Sequence, residues 1–207
     1  GEKPLLIVAQ PIPRPHGVLQ RPRLAVGPLD IQIRIHGREL GIRRHDAEFL
    51  LARQRRDLAA TTVAIQGYGN VGSATASALH GMGCKIIAIS DVSGGLYNPA
   101  GLNIGAINRH VAEHPQRLLA GYAAPGVEEI SNEDLLTSDV DVLIPAALEQ
   151  QLCADNAALV QARFVVEAAN GPTTPDADEI LRDRGILVMR PQGDSGQRLH
   201  RPHRIDR

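Results

Sequence analysis

Short apolar runs alternate with amphipathic stretches through the middle of this chain. The apolar runs predict five strands, at residues 63–66, 85–90, 140–144, 164–167 and 186–188. The stretches between them predict helices at residues 70–82, 104–114, 155–161 and 174–185. Ser131 and Asp134 have the spacing of a capping box and predict one more short helix. Strands that alternate with helices predict an α/β fold, a doubly wound parallel sheet of about five strands with helices on both faces.

Ligands of such sheets bind beyond the carboxyl ends of the strands, near the point where the strand order reverses. Three loops follow predicted strands at that edge, at residues 67–72, 144–148 and 168–174. We therefore expect these loops to converge on one site.

Both ends of the chain depart from this pattern. Residues 10–28 contain five prolines and little apolar periodicity, which is typical of a loop or a disordered segment. Residues 29–35 alternate and predict a half-buried strand, and residues 45–60 predict a strongly charged helix. We expect an irregular or atypical flank at residues 1–58, a folded domain at 59–189 and a disordered basic tail at 190–207. Both flanks are rich in arginine and proline and are expected to be poorly ordered.

The first predicted strand runs directly into a glycine-rich turn, Gly67-Tyr-Gly-Asn-Val-Gly72, which opens a helix. Gly67 would permit the tight turn, Gly69 would let the backbone approach a pyrophosphate, and Gly72 would let the helix pack closely. The helix N-terminus offers free N–H groups to phosphate. The next strand ends at Asp91, an acid placed to accept hydrogen bonds from an adenosine ribose. A glycine turn without a ligand is the alternative, but the surrounding order of elements favours a Rossmann-type dinucleotide site.

Composition limits the other function classes. The chain has 207 residues, of which 43% are hydrophobic and only 2% aromatic, so its core must be largely aliphatic. A net charge of −1, and arginine clusters without interleaved aromatic residues, argue against nucleic acid as a partner. We find no apolar run of about 18 residues that would predict a membrane span, and no secretory signal. Cys84 and Cys153 form no CxxC pair, so we expect both to be reduced in a cytoplasmic protein.

Four motifs, in one order along the chain, resemble a known family. They are Val63-Ala-Ile-Gln-Gly-Tyr-Gly-Asn-Val-Gly72, Ser90-Asp-Val-Ser-Gly-Gly-Leu-Tyr-Asn-Pro99, Asp141-Val-Leu-Ile-Pro-Ala-Ala-Leu-Glu149 and Val166-Glu-Ala-Ala-Asn-Gly-Pro-Thr-Thr-Pro175. Together they resemble the C-terminal NAD(P)-binding domain of the glutamate/leucine/phenylalanine/valine dehydrogenases, and the motif sequences are most similar to those of glutamate dehydrogenase. The resemblance covers about residues 59–189 and does not extend to the flanks.

The resemblance implies a role for each motif in binding a dinucleotide. Backbone amides of the glycine turn would hold the pyrophosphate, and Asp91 with Val92 would flank the adenosine ribose. Ala146 and Ala147 would line the path to the nicotinamide ribose, and Asn170 would orient the nicotinamide. The implied cofactor-binding residues are Gly67, Tyr68, Gly69, Asn70, Val71, Gly72, Asp91, Val92, Ala146, Ala147 and Asn170.

Several of these residue types also have an ordinary structural role. Asn70 would serve as a helix-start residue, and the Pro145-Ala-Ala segment would serve as a strand terminator. Asn170 would serve as a turn former before Gly171. Asp91 would end its strand in solvent without binding anything.

The choice of cofactor rests on Asp91. An acid beside the ribose 2′-hydroxyl repels the 2′-phosphate of NADP and favours NAD. The sequence has no basic residue between Ser90 and Ile107. We therefore predict NAD, with NADP as the alternative, because NADP-linked members of the family can carry the same acid.

The family's catalytic motifs find no match in this sequence. The chain has two lysines, Lys3 and Lys85, and neither lies in the glycine-rich loop that carries the family's reactive lysine. We assign no catalytic residue and no metal ligand, because His110 and His114 without a third ligand are more typical of a solvated pair. We expect the cofactor domain of an amino-acid dehydrogenase that interconverts L-glutamate with 2-oxoglutarate and ammonia, incomplete and inactive alone.

A non-catalytic dinucleotide-binding remnant or a partner-binding fragment is the alternative. Frame slips in the coding sequence would explain the arginine- and proline-rich flanks. An amino-acid substrate is expected only together with the missing domain. The resemblance implies a homo-oligomer that assembles through the missing domain.

Overall fold

The computed structural model describes residues 31–35, 38–42 and 58–190. It contains a two-stranded hairpin and a seven-stranded sheet. The hairpin pairs β1 (Ile31–Ile35) with β2 (Arg38–Ile42) in antiparallel register. β1 falls within the strand predicted at 29–35, whereas β2 was not predicted. The prolines of the first flank, most of the helix predicted at 45–60 and the basic tail lie outside the described residues, which resume with a 3₁₀ turn at Leu58–Ala60.

The large sheet is built around the five predicted parallel strands. Its strands are β3 (Thr62–Gln66), β4 (Lys85–Asp91), β5 (Gly94–Tyr97), β6 (Glu128–Ile130), β7 (Val142–Pro145), β8 (Phe164–Val166) and β9 (Leu187–Met189). Their order across the sheet is β6-β5-β4-β3-β7-β8-β9. Strands β4, β3, β7, β8 and β9 run parallel, which confirms the predicted fold class. The chain moves from β3 to β4 and then returns to β7 on the other side, so a switch point lies between β3 and β7.

Strands β5 and β6 extend the sheet past β4 in antiparallel directions, and the sequence did not predict them. The glycines and the Asn-Pro pair of this segment predicted turns only. In the structure a two-residue connection turns the chain straight back, so that Asp91 pairs with Gly94. A Cβ on Gly95 would lie 2.9 Å from Cγ1 of Ile130 on the neighbouring strand. Close strand packing is therefore one reason for glycine here.

Helices cover both faces of the sheet, as predicted. They are α1 (Asn70–Gly81), α2 (Ile104–Glu113), α3 (Asn132–Leu136), α4 (Ala154–Ala157) and α5 (Pro175–Asp183). Successive side chains of a strand point to opposite faces. Ile65 accordingly packs in one core cluster with α1 and α2, while Ala64 packs in another with α3, α4 and α5. Ser131 caps α3 through a capping box and Thr174 caps α5, as their sequences predicted.

Helix α4 is shorter than the helix predicted at residues 155–161. It ends at Ala157, and both Val160 and Ala162 are then buried in the core. Residues two apart point to different faces of a helix but to the same side of an extended segment. Burial of both side chains therefore favours an extended chain leading into β8.

The structure also bears on the expectations about membrane spans and disulfides. Within the part of the chain that the structure describes, no helix is long and apolar enough to cross a bilayer. Cys84 and Cys153 are both free thiols, and Cys84 is buried in the core.

A buried carboxylate ties together the amino-terminal ends of the two central strands. Asp141 accepts hydrogen bonds from the backbone N–H of Thr62 at 3.0 Å and from the Thr62 hydroxyl at 3.1 Å. The backbone N–H of Asp141 donates in return to that hydroxyl at 3.0 Å. Arg163 approaches the carboxylate at 3.4 Å. These contacts fix β3 against β7 at the edge opposite the switch-point loops.

Replacement of this carboxylate should destabilise the fold. Asp141→Ala should lower the free energy of unfolding by about 2–4 kcal/mol, because it leaves the partly buried donors of Thr62 without an acceptor and Arg163 without its partner. Urea unfolding followed by circular dichroism measures the change. Asp139→Ala, at an exposed position two residues away, is the matched control and should change stability by less than about 0.5 kcal/mol. Similar losses in the two variants would contradict this account.

Candidate functional site

The loops that follow β3, β7 and β8 meet at one edge of the sheet. The backbone N–H of Ala146 donates to the carbonyl of Gln66 at 2.7 Å, and that of Ala168 donates to Pro145 at 3.0 Å. The hydrogen-bond ladder therefore continues past the strand ends. Ala146 is half-buried and Ala147 is exposed. The three loops that the sequence predicted to converge thus lie side by side at the switch point.

Two glycines of the turn after β3 are packed against backbone. Gly67 has φ of +92°, and a Cβ there would lie 2.8 Å from the backbone nitrogen and Cα of Ala147. A Cβ on Gly72 would lie only 1.7 Å from the carbonyl oxygen of Gly67. Both positions therefore require glycine. Gly72 packs mainly on the turn itself, and the Cγ2 atom of Ile65 in β3 lies at 3.5 Å from the same Cβ position.

Gly69 differs from these two glycines because it faces open space. Among the described residues, no heavy atom outside its chain neighbours would lie within 4 Å of a Cβ at this position. Gly69 is the N-cap of α1 and Asn70 is the first helical residue, and both are exposed. The described first turn of α1 has neither a side-chain cap nor an acidic residue. Its free N–H groups and the positive end of the helix dipole are therefore available to an anion such as phosphate.

Tyr68 and Val71 contribute to the turn through their backbone, because their side chains pack inward. The Tyr68 hydroxyl donates to Asn108 Oδ1 at 2.8 Å, and Asn108 Nδ2 donates to the Ser77 hydroxyl at 3.0 Å. Burial, with a smaller contribution from Tyr122, raises the pKa of Tyr68 well above its ordinary value. Val71 is half-buried against the same core cluster. The Tyr68 side chain thus anchors the turn to the core cluster and to Asn108.

The acid at the end of β4 is held by its surroundings. One oxygen of Asp91 accepts from the hydroxyl of Ser93 and, at 2.7 Å, from its backbone N–H. The other oxygen accepts from the backbone N–H of Leu119 at 2.7 Å. Sequence reasoning missed Leu119, which lies 28 residues away in the loop after α2 and carries no motif. The neighbouring Val92 side chain is 91% exposed.

The loops after β7 and β8 form one unit. The backbone N–H groups of Gln150 and Leu152 donate to the carbonyls of Gly171 and Pro172, at 3.0 Å and 2.9 Å. Asn170 is exposed and immediately precedes this paired segment. The hydrogen bonds therefore link the loop of Asn170 to the loop that begins with the two alanines.

Gln66, which sequence reasoning did not single out, is a buried polar residue at the end of β3. Its Nε2 donates to Gln151 Oε1, and Gln151 Nε2 donates to the carbonyl of Glu149 at 3.0 Å. Within residues 58–190 the Oε1 atom of Gln66 has no hydrogen-bond partner. The sequence signal that could have identified Gln66 is a polar residue at the end of an otherwise apolar strand. A buried free acceptor immediately before Gly67 points to a bound polar group or water at this edge.

Glu167 is a second buried polar residue at this edge and is only 4% exposed. Arg190 Nε lies 3.4 Å from its Oε1 atom, while Nη2 of the same guanidinium lies 2.8 Å from Asp178. Burial raises the pKa of Glu167, and Thr173 and Arg190 oppose that rise only in part. The charge state of Glu167 therefore affects the end of β8, where the loop of Asn170 begins.

Comparison with known proteins agrees with the four motifs. The chain matches the family described as Glutamate/Leucine/Phenylalanine/Valine dehydrogenase over residues 40–192. It is 49% identical over 134 residues to the NADP-specific glutamate dehydrogenase A1 of Halobacterium salinarum, a match that covers 65% of this chain and 31% of that protein. It is 50% identical over 129 residues to the NAD-specific glutamate dehydrogenase A of the same organism, covering 62% of this chain and 28% of that protein.

A solved structure shows the same fold. The chain is similar to the hetero-hexameric glutamate dehydrogenase from Thermus thermophilus in its leucine-bound form, with 32% identity and a TM-score of 0.59. That match covers 70% of this chain and 33% of the other. The chain thus spans about a third of the length of the relatives it matches.

The two helical glycines of α1 provide a direct test of the packed turn. Gly72→Ala should lower the free energy of unfolding by about 2–4 kcal/mol, because its Cβ would overlap the Gly67 carbonyl. Gly81→Ala in the same helix meets no heavy atom within 4 Å among the described residues. This control should be neutral or stabilising by up to about 1 kcal/mol. Thermal unfolding measures both, and equal effects would show that the close contact is not the cause.

The raised pKa of Glu167 predicts a pH-dependent stability difference. A group whose pKa is raised on folding contributes stability that is present below its ordinary value, about 4.3, and lost as pH rises through the folded value. Glu167→Gln mimics the neutral form and should gain stability relative to the original protein as pH rises above about 4.3 towards neutrality. Urea unfolding at acidic and neutral pH measures this. Glu179→Gln, exposed on α5, should show no such trend, and a pH-independent Glu167→Gln difference would refute the prediction.

Proposed function

The chain belongs to the glutamate/leucine/phenylalanine/valine dehydrogenase family, and we propose that its residues 59–189 form the dinucleotide-binding domain of an NAD(P)-dependent amino-acid dehydrogenase. The observation that carries this proposal is the open position of Gly69 between two packed glycines. Gly67 and Gly72 are required by the turn, whereas nothing in the described protein requires glycine at position 69. A pyrophosphate that approaches the backbone at the uncapped start of α1 supplies the missing reason.

The remaining site residues are compatible with the other parts of a dinucleotide. Asp91 retains an acceptor position for a ribose hydroxyl, beside the exposed Val92. Ala146, Ala147 and Asn170 lie on the linked loops where the nicotinamide half would extend. When bound, the dinucleotide supplies the two-electron acceptor for oxidation of L-glutamate to 2-oxoglutarate and ammonia. The described residues bind and orient it.

We propose NAD as the preferred cofactor. An Asp91 carboxylate that accepts from a ribose hydroxyl repels a 2′-phosphate at the same place. The similar proteins from Halobacterium include both an NADP-specific and an NAD-specific enzyme. Since similar proteins include both specificities, we expect only a modest preference for NAD.

The chain spans about a third of the length of its relatives, so the activity of a whole dehydrogenase does not follow from the family match. The family's glycine-rich loop with a reactive lysine has no counterpart among Lys3 and Lys85. We therefore propose that this chain binds the cofactor and does not turn over glutamate by itself. On the same ground, a non-catalytic dinucleotide-binding remnant is the second candidate. The free thiols support a cytoplasmic location.

Titration calorimetry with NAD and NADP tests the proposal. The protein should bind both dinucleotides weakly, with NAD the tighter. Gly69→Ala should weaken NAD binding by about tenfold, because a methyl group displaces the pyrophosphate from the backbone and tenfold corresponds to about 1.4 kcal/mol. Its stability should change by less than about 1 kcal/mol, since the position is open and only an N-cap glycine is lost.

Gly81→Ala serves as the control and should leave NAD affinity unchanged. Failure of the protein to bind either dinucleotide at millimolar concentration would overturn the proposed function. Glutamate-dependent reduction of NAD by this chain would overturn the second part of the proposal.

A further inference from the structure

His110 and His114, at the end of α2, hold the loop that follows this helix. His110 Nε2 lies 2.9 Å from the carbonyl oxygen of Ala120 and is therefore its donor. His114 Nδ1 lies 3.2 Å from the backbone N–H of Gln116 and 3.3 Å from that of Leu118, so it accepts from both. Both imidazoles, for which the sequence favoured a solvated pair over a metal site, therefore make hydrogen bonds to the backbone. The imidazoles thus supply hydrogen bonds that this irregular segment does not make by itself.

The segment they hold contains a strained turn. Arg117 has φ of +57°, a left-handed conformation that is uncommon for residues other than glycine. Its backbone N–H donates to the carbonyl of His114 at 2.9 Å. The ring of His110 also contacts Tyr122 edge-on, at 5.4 Å between centroids, and the N–H of Tyr122 donates to Leu119 at 3.1 Å. The path from residue 114 to residue 122 is therefore fixed at several points.

This loop connects directly to the candidate site through Leu119. Leu119 is 2% exposed, and its backbone N–H donates to Asp91 at 2.7 Å. The preceding N–H, that of Leu118, is one of the two that His114 accepts. The histidine and the carboxylate therefore hold consecutive peptide groups. Loss of the acceptor on His114 would release the first group and let the second move away from Asp91.

We infer that His114 is a positioning residue for the Asp91 carboxylate. Its Nδ1 lone pair orders the Leu118–Leu119 backbone, that backbone fixes one oxygen of Asp91, and Asp91 then presents its free acceptor position to a dinucleotide ribose. The last step rests on the proposed function. The first two steps concern the protein alone and are measurable without any dinucleotide.

Asparagine and glutamine variants separate an acceptor at Nδ1 from a general need for a polar side chain. The Oδ1 atom of asparagine can occupy the place of Nδ1, whereas the Oε1 atom of glutamine reaches nearer the place of Nε2. His114→Gln should therefore lose the acceptor and His114→Asn should retain it. His80→Gln, at an exposed histidine near the end of α1, is the matched control.

Amide hydrogen exchange measured by NMR tests the first two steps, in which His114 orders the Leu118–Leu119 backbone and that backbone fixes Asp91. Exchange at Leu118 and Leu119 should become faster in His114→Gln and stay near the original rates in His114→Asn and His80→Gln. Calorimetric titration with NAD tests the last step, in which Asp91 accepts from a ribose hydroxyl. His114→Gln should weaken binding by about twofold to tenfold, the effect of about one hydrogen bond, and His114→Asn should restore most of it.

Unchanged exchange at both leucines in His114→Gln would overturn the inference, as would equal NAD affinities of the His114→Gln and His114→Asn proteins. If the original protein binds no NAD, the proposed function fails with the ribose step that depends on it. The exchange rates then still decide whether His114 holds the loop on Asp91.

Discussion

The contact between Gly72 and the carbonyl oxygen of Gly67 is the constraint on which the rest of this site depends. A Cβ at position 72 would lie 1.7 Å from that oxygen, so helix α1 approaches the turn as closely as backbone allows. Gly67 is in turn packed against the backbone of Ala147. One contact thus couples α1 to β3 and, through Gly67, to the loop after β7. Because no side chain separates α1, the glycine turn and the loop after β7, the uncapped N-terminus of α1 lies at the switch point.

Polar groups at the two edges of the sheet are satisfied to different degrees. At the amino-terminal edge, Asp141 exchanges hydrogen bonds with Thr62 and is paired with Arg163. At the carboxyl edge, the buried Oε1 atom of Gln66 has no hydrogen-bond partner among the described residues. Buried polar atoms in folded proteins are rarely left this way without a reason. The contacts at the first edge therefore stabilise the sheet, whereas Gln66 leaves an open acceptor at the second edge, next to the glycine turn.

The sequence predicted those features whose cause is local. Ser131 and Thr174 cap their helices through neighbours three residues away, and Gly72 packs on Gly67 of the same turn. Strand β5 was missed because its glycines predicted turns only, and β6 was missed because it pairs with β5, which is distant in sequence. The tie between Asp91 and Leu119 was missed because the two residues are 28 positions apart, and the hydrogen bonds of His110 and His114 were missed because the loop after α2 carries no motif. The cofactor residues were named from motifs, and their roles remain predictions.

The tie between Asp91 and Leu119 also bears on what kind of ligand this carboxylate can accept. A carboxylate has about four lone-pair positions. Ser93 takes two of them on one oxygen, and Leu119 takes one on the other. The remaining position suits a single hydroxyl donor, such as one hydroxyl of a ribose. A phosphate in the same place brings a charge of about −1.5 to −2, which the carboxylate repels. Under the proposed function, the donors that fix Asp91 thus favour a hydroxyl over a phosphate at the remaining position, and one of these donors, Leu119, lies outside the dinucleotide motif.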